Sequence, residues 1–448
     1  MAHKLFRDPL YDYIQIDKEK SWLLDLIDTP ELQRLRYISQ LGMSHVTYPG
    51  STHSRFSHSL GVLHLMQQCI SHLKQGYAEY FKQMDEEALL AAALLHDIGH
   101  GPFSHATEGI FGDVDHEERA LNIIKDSQSN INEVLNRQDK NLVSKVAALI
   151  SKRSTAALWQ KSLISSQLDM DRLDYLRRDA LCSGAEYGNF DWFRILHTME
   201  LNEKEIERGR KDAFVTWPNK SRFALEEYIF SRFYMYQSVY FHHTTRGFEC
   251  LLREILRKAK DLARQDKNFT KSLLSPIEIL WSEEKSEDTE AFLDLNDHIL
   301  IAQIMIWRRN DRDKTISDLS ERFLLRKGIG CEELPGNRAP MEMYEKIAEI
   351  KEYLENKGLD PNYYFFEDEA RTTTYRPYRS ASASEEQSSV NSIMLFERLW
   401  LGTDRIGFQE ITEVPDLKRL RAITEESSSV LRYYFPKEYE REIKNLLK

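Results

Sequence analysis

The chain has few cysteines and no long apolar run, and both shortages exclude whole classes of protein. Its 448 residues include four cysteines, which lie far apart and match neither a disulfide framework nor a paired zinc site. The longest uninterrupted apolar run, Ala88–Leu95, is well short of the ~20 residues that a bilayer span needs. The N-terminus also lacks the apolar segment of a secretory signal. We therefore expect a cytoplasmic protein with free thiols and no membrane partner.

The chain also lacks an excess of positive charge. Its 61 Lys and Arg residues face 72 Asp and Glu residues, which gives a net charge of −11. General affinity for nucleic acid depends on neutralising phosphates, so this balance argues against a nucleic-acid partner. A small anionic substrate stays compatible, because a binding site needs only a local positive field.

Helical patterns dominate the first 260 residues and predict a mainly α fold. The sequence Asp28-Thr29-Pro30-Glu31 combines an N-cap with a proline at the first helical position, and Gly42 can close that helix. Ser165–Leu181 and Ser221–Leu256 predict two long helices, the first ending near Gly184.

The later chain is less uniform, and its length exceeds what one compact core usually holds. Met341–Lys357 and Glu438–Leu447 predict helices, whereas Ile393–Leu401 and Ile406–Val414 predict strands. The predicted organisation is a helical core at 1–260, a helical extension at 261–371, a serine-rich loop or linker at 372–392, and a small mixed α+β lobe at 393–448.

Histidine and aspartate are dense in the first half, and one pair has a telling position. His96-Asp97 directly follows Ala88–Leu95, which is apolar all round and predicts a buried helix. Adjacent helical residues point ~100° apart, so both side chains can reach one ion only where the helix ends. A buried aspartate needs a counter-charge, which a divalent cation supplies. Mixed imidazole and carboxylate ligands favour Mn, Fe, Ni, Co or Zn over Ca.

Three segments extend this pair into a longer pattern: Arg55–Val62, His96–His105 and Asp169–Tyr175. Together they resemble the H…HD…D pattern of the HD-superfamily phosphohydrolases. Within this superfamily the segments resemble most specifically the deoxynucleoside triphosphate (dNTP) triphosphohydrolase branch, which includes dGTPase-like and sterile-alpha-motif-and-HD-domain enzymes. It runs from Lys4 to about Glu249. It implies an HD-type helical core, here joined to a smaller mixed lobe.

The resemblance implies a metal site with open positions for water and a phosphate oxygen. The implied ligands are His58, His96, Asp97 and Asp171. It also implies Mg²⁺ on the substrate phosphates as a second ion.

Proton transfer is the role that the resemblance implies for His105, as general acid or water-positioning residue. Glu108 stands where one relative has an aspartate that orients this histidine, three residues on and so on the same helical face. His100 and His116 match family histidines that touch the phosphates.

Substrate contacts are implied for a further group of residues. The implied phosphate contacts are Arg55, Arg172 and Arg232, the residues near phosphate and sugar are Tyr175 and Asp179, and those lining the deoxyribose are Gln40, Leu41 and Tyr240. Asp171, Tyr175 and Asp179 recur at i, i+4 and i+8, so one helix face can present all three. For the neighbouring Arg177 and Arg178 we expect a solvated face with Arg172–Asp179 ion pairs.

A regulatory nucleotide site is a further implication of the same resemblance. In relatives that form nucleotide-activated tetramers, an N-terminal segment and the first helix bind guanine, and the matching residues here are Lys4, Leu5, Asp28, Gln33 and Arg36. Arg7 departs from that pattern, since one relative has asparagine there. The implied partners are thus an activating nucleotide and further copies of the chain in a homo-oligomer.

Three functions stay open from the sequence. The first is hydrolysis of dNTPs to deoxynucleoside and triphosphate. The second is HD-type hydrolysis of another nucleotide, such as a cyclic nucleotide, guanosine tetraphosphate or a nucleoside monophosphate. The third is a nucleotide sensor without hydrolysis, which loss of a metal ligand would favour. The residues Arg55, Tyr175, Asp179 and Tyr240 together favour the first.

Overall fold

The computed structural model describes residues 3–207, 210–282, 284–310, 312–334, 340–372, 393–398, 406–425 and 428–447. The predicted linker at 372–392 therefore lies outside the described residues from 373 onward. Within the described ranges the fold is mainly helical with small sheets, as the sequence predicts.

Helices form the body of the molecule. They are α1 (Trp22–Ile27), α2 (Pro30–Gln33), α3 (Arg55–Tyr77), α4 (Gln83–Leu95), α5 (His116–Lys125), α6 (Asn130–Gln138), α7 (Leu142–Ile150), α8 (Leu158–Ile164), α9 (Met170–Ser183), α10 (Trp192–His197), α11 (Arg222–Met235), α12 (His243–Gln265), α13 (Lys267–Thr270), α14 (Ser275–Leu280), α15 (Thr289–Asp294), α16 (Asp297–Trp307), α17 (Lys314–Leu324), α18 (Pro340–Asn356), α19 (Pro361–Tyr364), α20 (Arg419–Glu425) and α21 (Glu440–Leu447). Among the described residues, none of these helices has the length and apolarity needed to cross a bilayer.

Within the described ranges, the strands form three separate sheets. They are β1 (His3–Asp8), β2 (Asp12–Asp17), β3 (Glu200–Glu207), β4 (Arg210–Pro218), β5 (Ile329–Leu334), β6 (Phe366–Thr372), β7 (Met394–Arg398), β8 (Ile406–Glu410) and β9 (Ser428–Pro436). β1 and β2 form a hairpin, and the other two sheets have the strand orders β3-β4-β7-β8 and β5-β9-β6. All the neighbouring strands are antiparallel except β4 and β7.

The buried helix α4 fixes the position of the His96-Asp97 pair. Every residue of Ala88–Leu95 is buried, and α4 packs between α3 and α7. The acidic side chains of Asp85 and Glu86 lie in its first turn, where their negative charge interacts favourably with the positive end of the helix dipole. His96 caps the C-terminus, so the polar pair emerges where the helix ends, as predicted.

The first predicted helix starts as expected but ends early. Thr29 caps α2, and its hydroxyl oxygen accepts a hydrogen bond from the Leu32 amide at 3.4 Å. After a 3₁₀ turn at 34–37 the chain becomes extended, and Ser39 pairs with Ser54 in an isolated bridge. The prediction that Gly42 closes this helix was therefore wrong, because this pairing pulls the chain out of helical geometry first.

Both predicted long helices differ from the prediction: the first begins later, and the second is interrupted. α9 begins only at Met170, because the Asp169 side chain accepts the Arg172 amide at 2.8 Å and caps the helix there. Its predicted end is confirmed, since Gly184 adopts φ +75°. The segment Ser221–Leu256 contains α11, a wide π-type turn at 236–240 and α12 instead of one continuous helix.

The C-terminal lobe draws on two separate parts of the sequence. Strands β5 and β6 fall within 261–371, where only a helical extension was predicted, yet both pair with β9 near the end of the chain. With α18 and α21 they enclose a second apolar cluster that includes Leu334, Ile350 and Phe435. The helices predicted after residue 340 are confirmed by α18 and α21, and the two predicted strands by β7 and β8, although β8 ends at Glu410, where a 3₁₀ turn begins, and residues 399–401 of the other lie outside the described residues.

Candidate active site

A cavity of about 430 Å³ lies where α3, the end of α4, α9 and the start of α12 meet. It gathers most of the side chains that the sequence analysis singled out. Those in its lining are Gln40, Leu41, Arg55, His96, Asp97, His100, His116, Asp171, Arg172, Tyr175, Asp179 and Tyr240. The predicted common face of α9 is thus present, since Asp171, Tyr175 and Asp179 all reach the cavity.

Four side chains converge at one end of this cavity. His58 Nε2 lies 3.0 Å from Asp171 Oδ1, 3.2 Å from His96 Nε2 and 3.8 Å from Asp97 Oδ2. His96 Nε2 lies 3.4 Å from Asp97 Oδ1 and 3.7 Å from Asp171 Oδ1. Potential ligand atoms from α3, the C-terminus of α4 and α9 therefore lie close together. These four residues are called the metal-type cluster below.

The rear nitrogen of each imidazole is already engaged. His96 Nδ1 lies 2.9 Å from the Ala93 carbonyl oxygen, which can only accept, so this nitrogen carries the proton. His58 Nδ1 lies 2.8 Å from Asp174 Oδ2. With Nδ1 engaged in this way, the neutral form of each ring can direct its Nε2 lone pair at a divalent cation held together with the carboxylates.

Asp174 orients His58, and a buried network holds Asp174 in turn. Arg178 donates to both Asp174 oxygens at 2.8 and 3.0 Å, and Tyr11 donates its hydroxyl at 2.9 Å. Arg178 also donates to Asp8 at 2.8 Å and is only 1% exposed. The expectation of a solvated face for Arg178 was wrong, because Asp174 on the same helix and Asp8 on β1 hold its guanidinium in a buried position.

The electrostatics of the cluster favour a positive charge at its centre. Burial by itself lowers the pKa of His58, but hydrogen bonds to Asp171 and Asp174 raise it to about 10. Burial by itself raises the pKa of Asp171, yet contacts with His58 and His96 hold it well below its usual range. This donor set suits a transition-metal ion, whose charge the same field stabilises.

Two arginines line the cavity beside the cluster. Arg55 Nη1 lies 2.5 Å from Asp97 Oδ2, and its Nε and Nη2 donate to the Ser104 hydroxyl at 3.0 and 2.7 Å. Arg172 pairs with Asp169 at the start of α9. Both guanidinium groups are fixed by protein partners and carry charge into the cavity wall.

Arg232 occupies a different position from the other two arginines. It is 7% exposed, donates to Gln167 Oε1 at 3.1 Å, and lies over the Tyr236 ring at 5.6 Å. It is not part of the cavity lining. The structure therefore does not bring this predicted phosphate contact to the cavity surface.

A second histidine group adjoins the first. His116 Nδ1 lies 2.7 Å from Glu108 Oε1, and the His116 ring stacks on His100 with centroids 4.2 Å apart. Burial and the nearby Arg55 hold the pKa of His100 well below its usual range. Burial lowers the pKa of His116, but the hydrogen bond to Glu108 raises it above its ordinary value. Neutral and readily protonated imidazoles are thus in contact beside the metal-type cluster.

His105 lies in the 3₁₀ turn Ser104–Thr107, but its side chain is outside the part of the structure that is described. The turn follows an unusual backbone, because Phe103 and Ser104 both adopt positive φ, at +51° and +54°. The predicted proton-transfer role of His105 stays a prediction.

A buried carboxylate, that of Asp179, lines the cavity two helical turns beyond Asp171 on α9. One oxygen of Asp179 lies 2.8 Å from His53 Nε2, and the other accepts the Tyr240 hydroxyl at 2.8 Å. The Tyr240 ring lies edge-on to Tyr175 with centroids 6.3 Å apart. The expected Arg172–Asp179 pairs were wrong, since His53 takes that place. Sequence reasoning missed His53, although it stands beside the first motif.

The predicted regulatory residues lie outside the cavity lining. Lys4 and Leu5 are exposed on β1, and Asp28 and Arg36 are exposed near α2. Gln33 donates to a backbone carbonyl of α1 at 2.7 Å and accepts from Arg36 Nε at 2.7 Å. The structure brings Gln33 and Arg36 into contact.

The sequence of this chain is similar to those of known proteins. The HD domain family model matches residues 55–179, which include the metal-type cluster and Asp179. The chain is 37% identical over 382 residues to the uncharacterised protein YwfO of Bacillus subtilis, covering 85% of this chain and 83% of the relative. It is 27% identical over 329 residues to the deoxynucleoside triphosphate triphosphohydrolase SAMHD1 of Gallus gallus, covering 66% of this chain and 51% of that protein.

Solved structures share the fold almost from end to end. A phosphohydrolase of Bacteroides thetaiotaomicron has a TM-score of 0.75 at 28% identity and covers 96% of this chain and 98% of its own. A hypothetical protein of Aquifex aeolicus has a TM-score of 0.71 at 27% identity, and both chains are fully covered. The chain therefore belongs to the HD-domain superfamily of phosphohydrolases, and within it resembles SAMHD1.

Proposed function

We propose that the protein hydrolyses dNTPs to deoxynucleoside and inorganic triphosphate. The observation that carries the proposal is the lining of one cavity, which combines residues of the metal-type cluster with a second group, here called the sugar wall, that consists of Gln40, Leu41, Asp179 and Tyr240. Its volume of about 430 Å³ lies in the usual range for small-molecule sites.

The metal ligands in this proposal are His58, His96, Asp97 and Asp171, and the ion is Mn, Fe, Ni, Co or Zn. When bound, such an ion polarises a phosphate oxygen and lowers the pKa of bound water. Asp174 keeps the His58 lone pair directed at the site through the 2.8 Å contact with Nδ1.

The chain's own residues bind and orient the triphosphate. Arg55 and Arg172 bring fixed positive charge to the cavity wall, which suits a chain of phosphates. Water attacks the α-phosphorus, the bond from that phosphorus to the sugar O5′ breaks, and the leaving oxygen gains a proton. The stacked His100 and His116, with Glu108 and the predicted His105, are the proton-transfer candidates.

The sugar wall supports deoxyribose over ribose. Leu41 and Tyr240 line the cavity beside Asp179 and Gln40. An apolar leucine and an aromatic face pressed against C2′ offer a ribose hydroxyl no partner, which costs about 1–3 kcal/mol before any steric overlap.

Regulation is a separate part of the proposal. Lys4, Leu5, Asp28, Gln33 and Arg36 are the candidate contacts for an activating nucleotide between copies of the chain. Sedimentation of the protein with and without each nucleotide tests this, since activation through assembly requires a nucleotide-dependent change in mass.

The direct test is incubation of metal-loaded protein with each dNTP and each ribonucleoside triphosphate, with and without a second nucleotide. Chromatography of the products is expected to give deoxynucleoside and triphosphate in equal amounts. Asp171→Ala is the matched inactive control. Hydrolysis of a cyclic nucleotide, guanosine tetraphosphate or a monophosphate in place of any dNTP would contradict the proposed substrate class.

A further inference from the structure

His53 touches the sugar wall from behind at two points. Its Nε2 lies 2.8 Å from Asp179 Oδ1, with side-chain exposures of 8% for the histidine and 2% for the aspartate. Its backbone carbonyl accepts the Gln40 amide at 3.0 Å. His53 is not part of the cavity lining, so it contacts both Asp179 and Gln40 without facing the cavity itself.

Asp179 depends on this contact for its orientation. Its second oxygen accepts the Tyr240 hydroxyl at 2.8 Å, so the carboxylate is clamped between α3's preceding loop and the π-type turn at 236–240. A carboxylate has about four lone-pair sites, and these two bonds leave acceptor capacity directed into the cavity. A hydroxyl of the ligand is the donor that such an acceptor recognises.

The charge of His53 matches this role. Burial by itself lowers the pKa of His53, but the hydrogen bond to Asp179 and the nearby Cys182 raise it to about 9. The imidazole is therefore a cation near neutral pH and supplies the counter-charge that a buried carboxylate needs. Without it, Asp179 would have the Tyr240 hydroxyl as its remaining hydrogen-bond donor among the contacts described.

We propose that His53 is a positioning residue, which holds Asp179 so that its carboxylate recognises the 3′-hydroxyl of the nucleotide sugar. The inference rests on the proposed function, because it assigns the sugar to this wall of the cavity. The preference of Asp179 for a nucleotide with a free 3′-hydroxyl then depends on His53, a residue that does not itself contact the substrate.

The first test is binding by titration calorimetry to metal-free protein, which does not depend on turnover. The probes are the four dNTPs and their 2′,3′-dideoxy counterparts. Wild-type protein is expected to bind the preferred dNTP at least about tenfold more tightly than its dideoxy form, because the analogue leaves a buried acceptor unpaired.

Two substitutions separate positioning from packing. His53→Leu removes the donor at similar volume and is expected to erase the discrimination through weaker dNTP binding alone. His53→Gln keeps an N–H donor and is expected to restore part of it. His72→Gln is the matched control, since His72 also makes one side-chain hydrogen bond, 2.9 Å to the Met199 carbonyl, away from the cavity.

A double-mutant cycle adds a second readout. His53→Leu and Asp179→Asn are expected to be strongly non-additive in the ratio of kcat/KM for dNTP and dideoxy substrate, because one acts through the other. Equal loss on both substrates, or an unchanged ratio, would overturn the proposal. If wild-type protein discriminates in binding but releases no triphosphate, the proposed function fails and the role of His53 stands.

Discussion

The helical core and the C-terminal lobe contribute to the cavity in different ways. The core supplies every residue of the metal-type cluster and the sugar wall, from the segment before α3, from α3, from the residues that follow α4, from α9 and from the turn before α12. The lobe supplies none of the predicted site residues, yet it contacts the cavity wall from outside. Asp368 on β6 accepts from Arg246, and Arg432 and Tyr434 on β9 donate to the carbonyl oxygens of Phe241 and His243.

This difference separates residues that face the substrate from residues that hold the wall. Arg246 and Phe241 line the cavity, and their partners in the lobe fix them there. Variants in the core should therefore change chemistry, metal content or substrate choice. Variants in the lobe should mainly lower the stability of the protein and should change activity only weakly.

The largest effects are expected at the metal ligands. Asp171→Ala and His96→Ala should each abolish hydrolysis and reduce bound metal, because an incomplete ligand set loses affinity and leaves charge uncompensated. Inductively coupled plasma emission spectroscopy measures the bound metal, and circular dichroism checks that each variant is folded. Full activity with normal metal in either variant would refute the assignment.

Proton transfer should come next. His105→Ala is expected to lower kcat by roughly 10²–10⁴ with unchanged metal content, as for loss of a general acid. Glu108→Gln should give a smaller loss in the same direction, because it weakens the contact that raises the pKa of His116. An unaffected His105 variant would move the role to His116.

Sugar selectivity is a smaller effect within the core. The protein is expected to cleave dNTPs at least about tenfold better than ribonucleoside triphosphates, given the cost of an unpartnered hydroxyl. Tyr240→Ala should narrow this gap by opening space beside C2′. Rates on dGTP and GTP at equal concentrations measure it, and equal rates would refute the sugar-gate hypothesis.

The lobe gives the matching test of the comparison. Asp368→Asn should reduce stability by about 1–3 kcal/mol and kcat/KM only a few-fold, because Arg246 loses a charged partner but keeps Glu249. Glu333→Gln is the control, since the Glu333 side chain is 59% exposed in its pair with Arg432. A loss in Asp368→Asn as large as at the metal ligands would erase the distinction between the two regions.

The smallest effect is a pH-dependent stability at His53. Its pKa is raised from 6.5 to about 9 in the folded protein, so its stabilisation is complete below about pH 6.5 and is lost as the pH rises through 9. The excess stability of metal-free wild type over His53→Gln, about 1–3 kcal/mol in size, should therefore shrink over that range. Urea unfolding at pH 6, 7.5 and 9.5 measures it, and a pH-independent difference would exclude a charged imidazole.

The sequence predicts the parts of the site that follow local rules. A buried apolar helix ending at His96-Asp97 and the i, i+4, i+8 spacing of Asp171, Tyr175 and Asp179 both depend on helix geometry alone. The structure places these side chains around one cavity, as expected.

The supporting residues could not be predicted, for two physical reasons. Arg178 follows Asp174 by one helical turn, a spacing that an exposed ion pair also has, and only the approach of Asp8 from β1 shows that it is buried. The pairing of β5 and β6 with β9 joins segments far apart in the chain. The local sequence of a segment does not show which distant segment pairs with it.

The central claim is tested most directly by hydrolysis in ¹⁸O-labelled water with metal-loaded protein and its preferred dNTP. Attack at the α-phosphorus with loss of the sugar oxygen predicts one ¹⁸O atom in the inorganic triphosphate and none in the deoxynucleoside. Mass spectrometry of both products reads the label. Release of pyrophosphate and a nucleoside monophosphate, or ¹⁸O in the deoxynucleoside, would contradict the account.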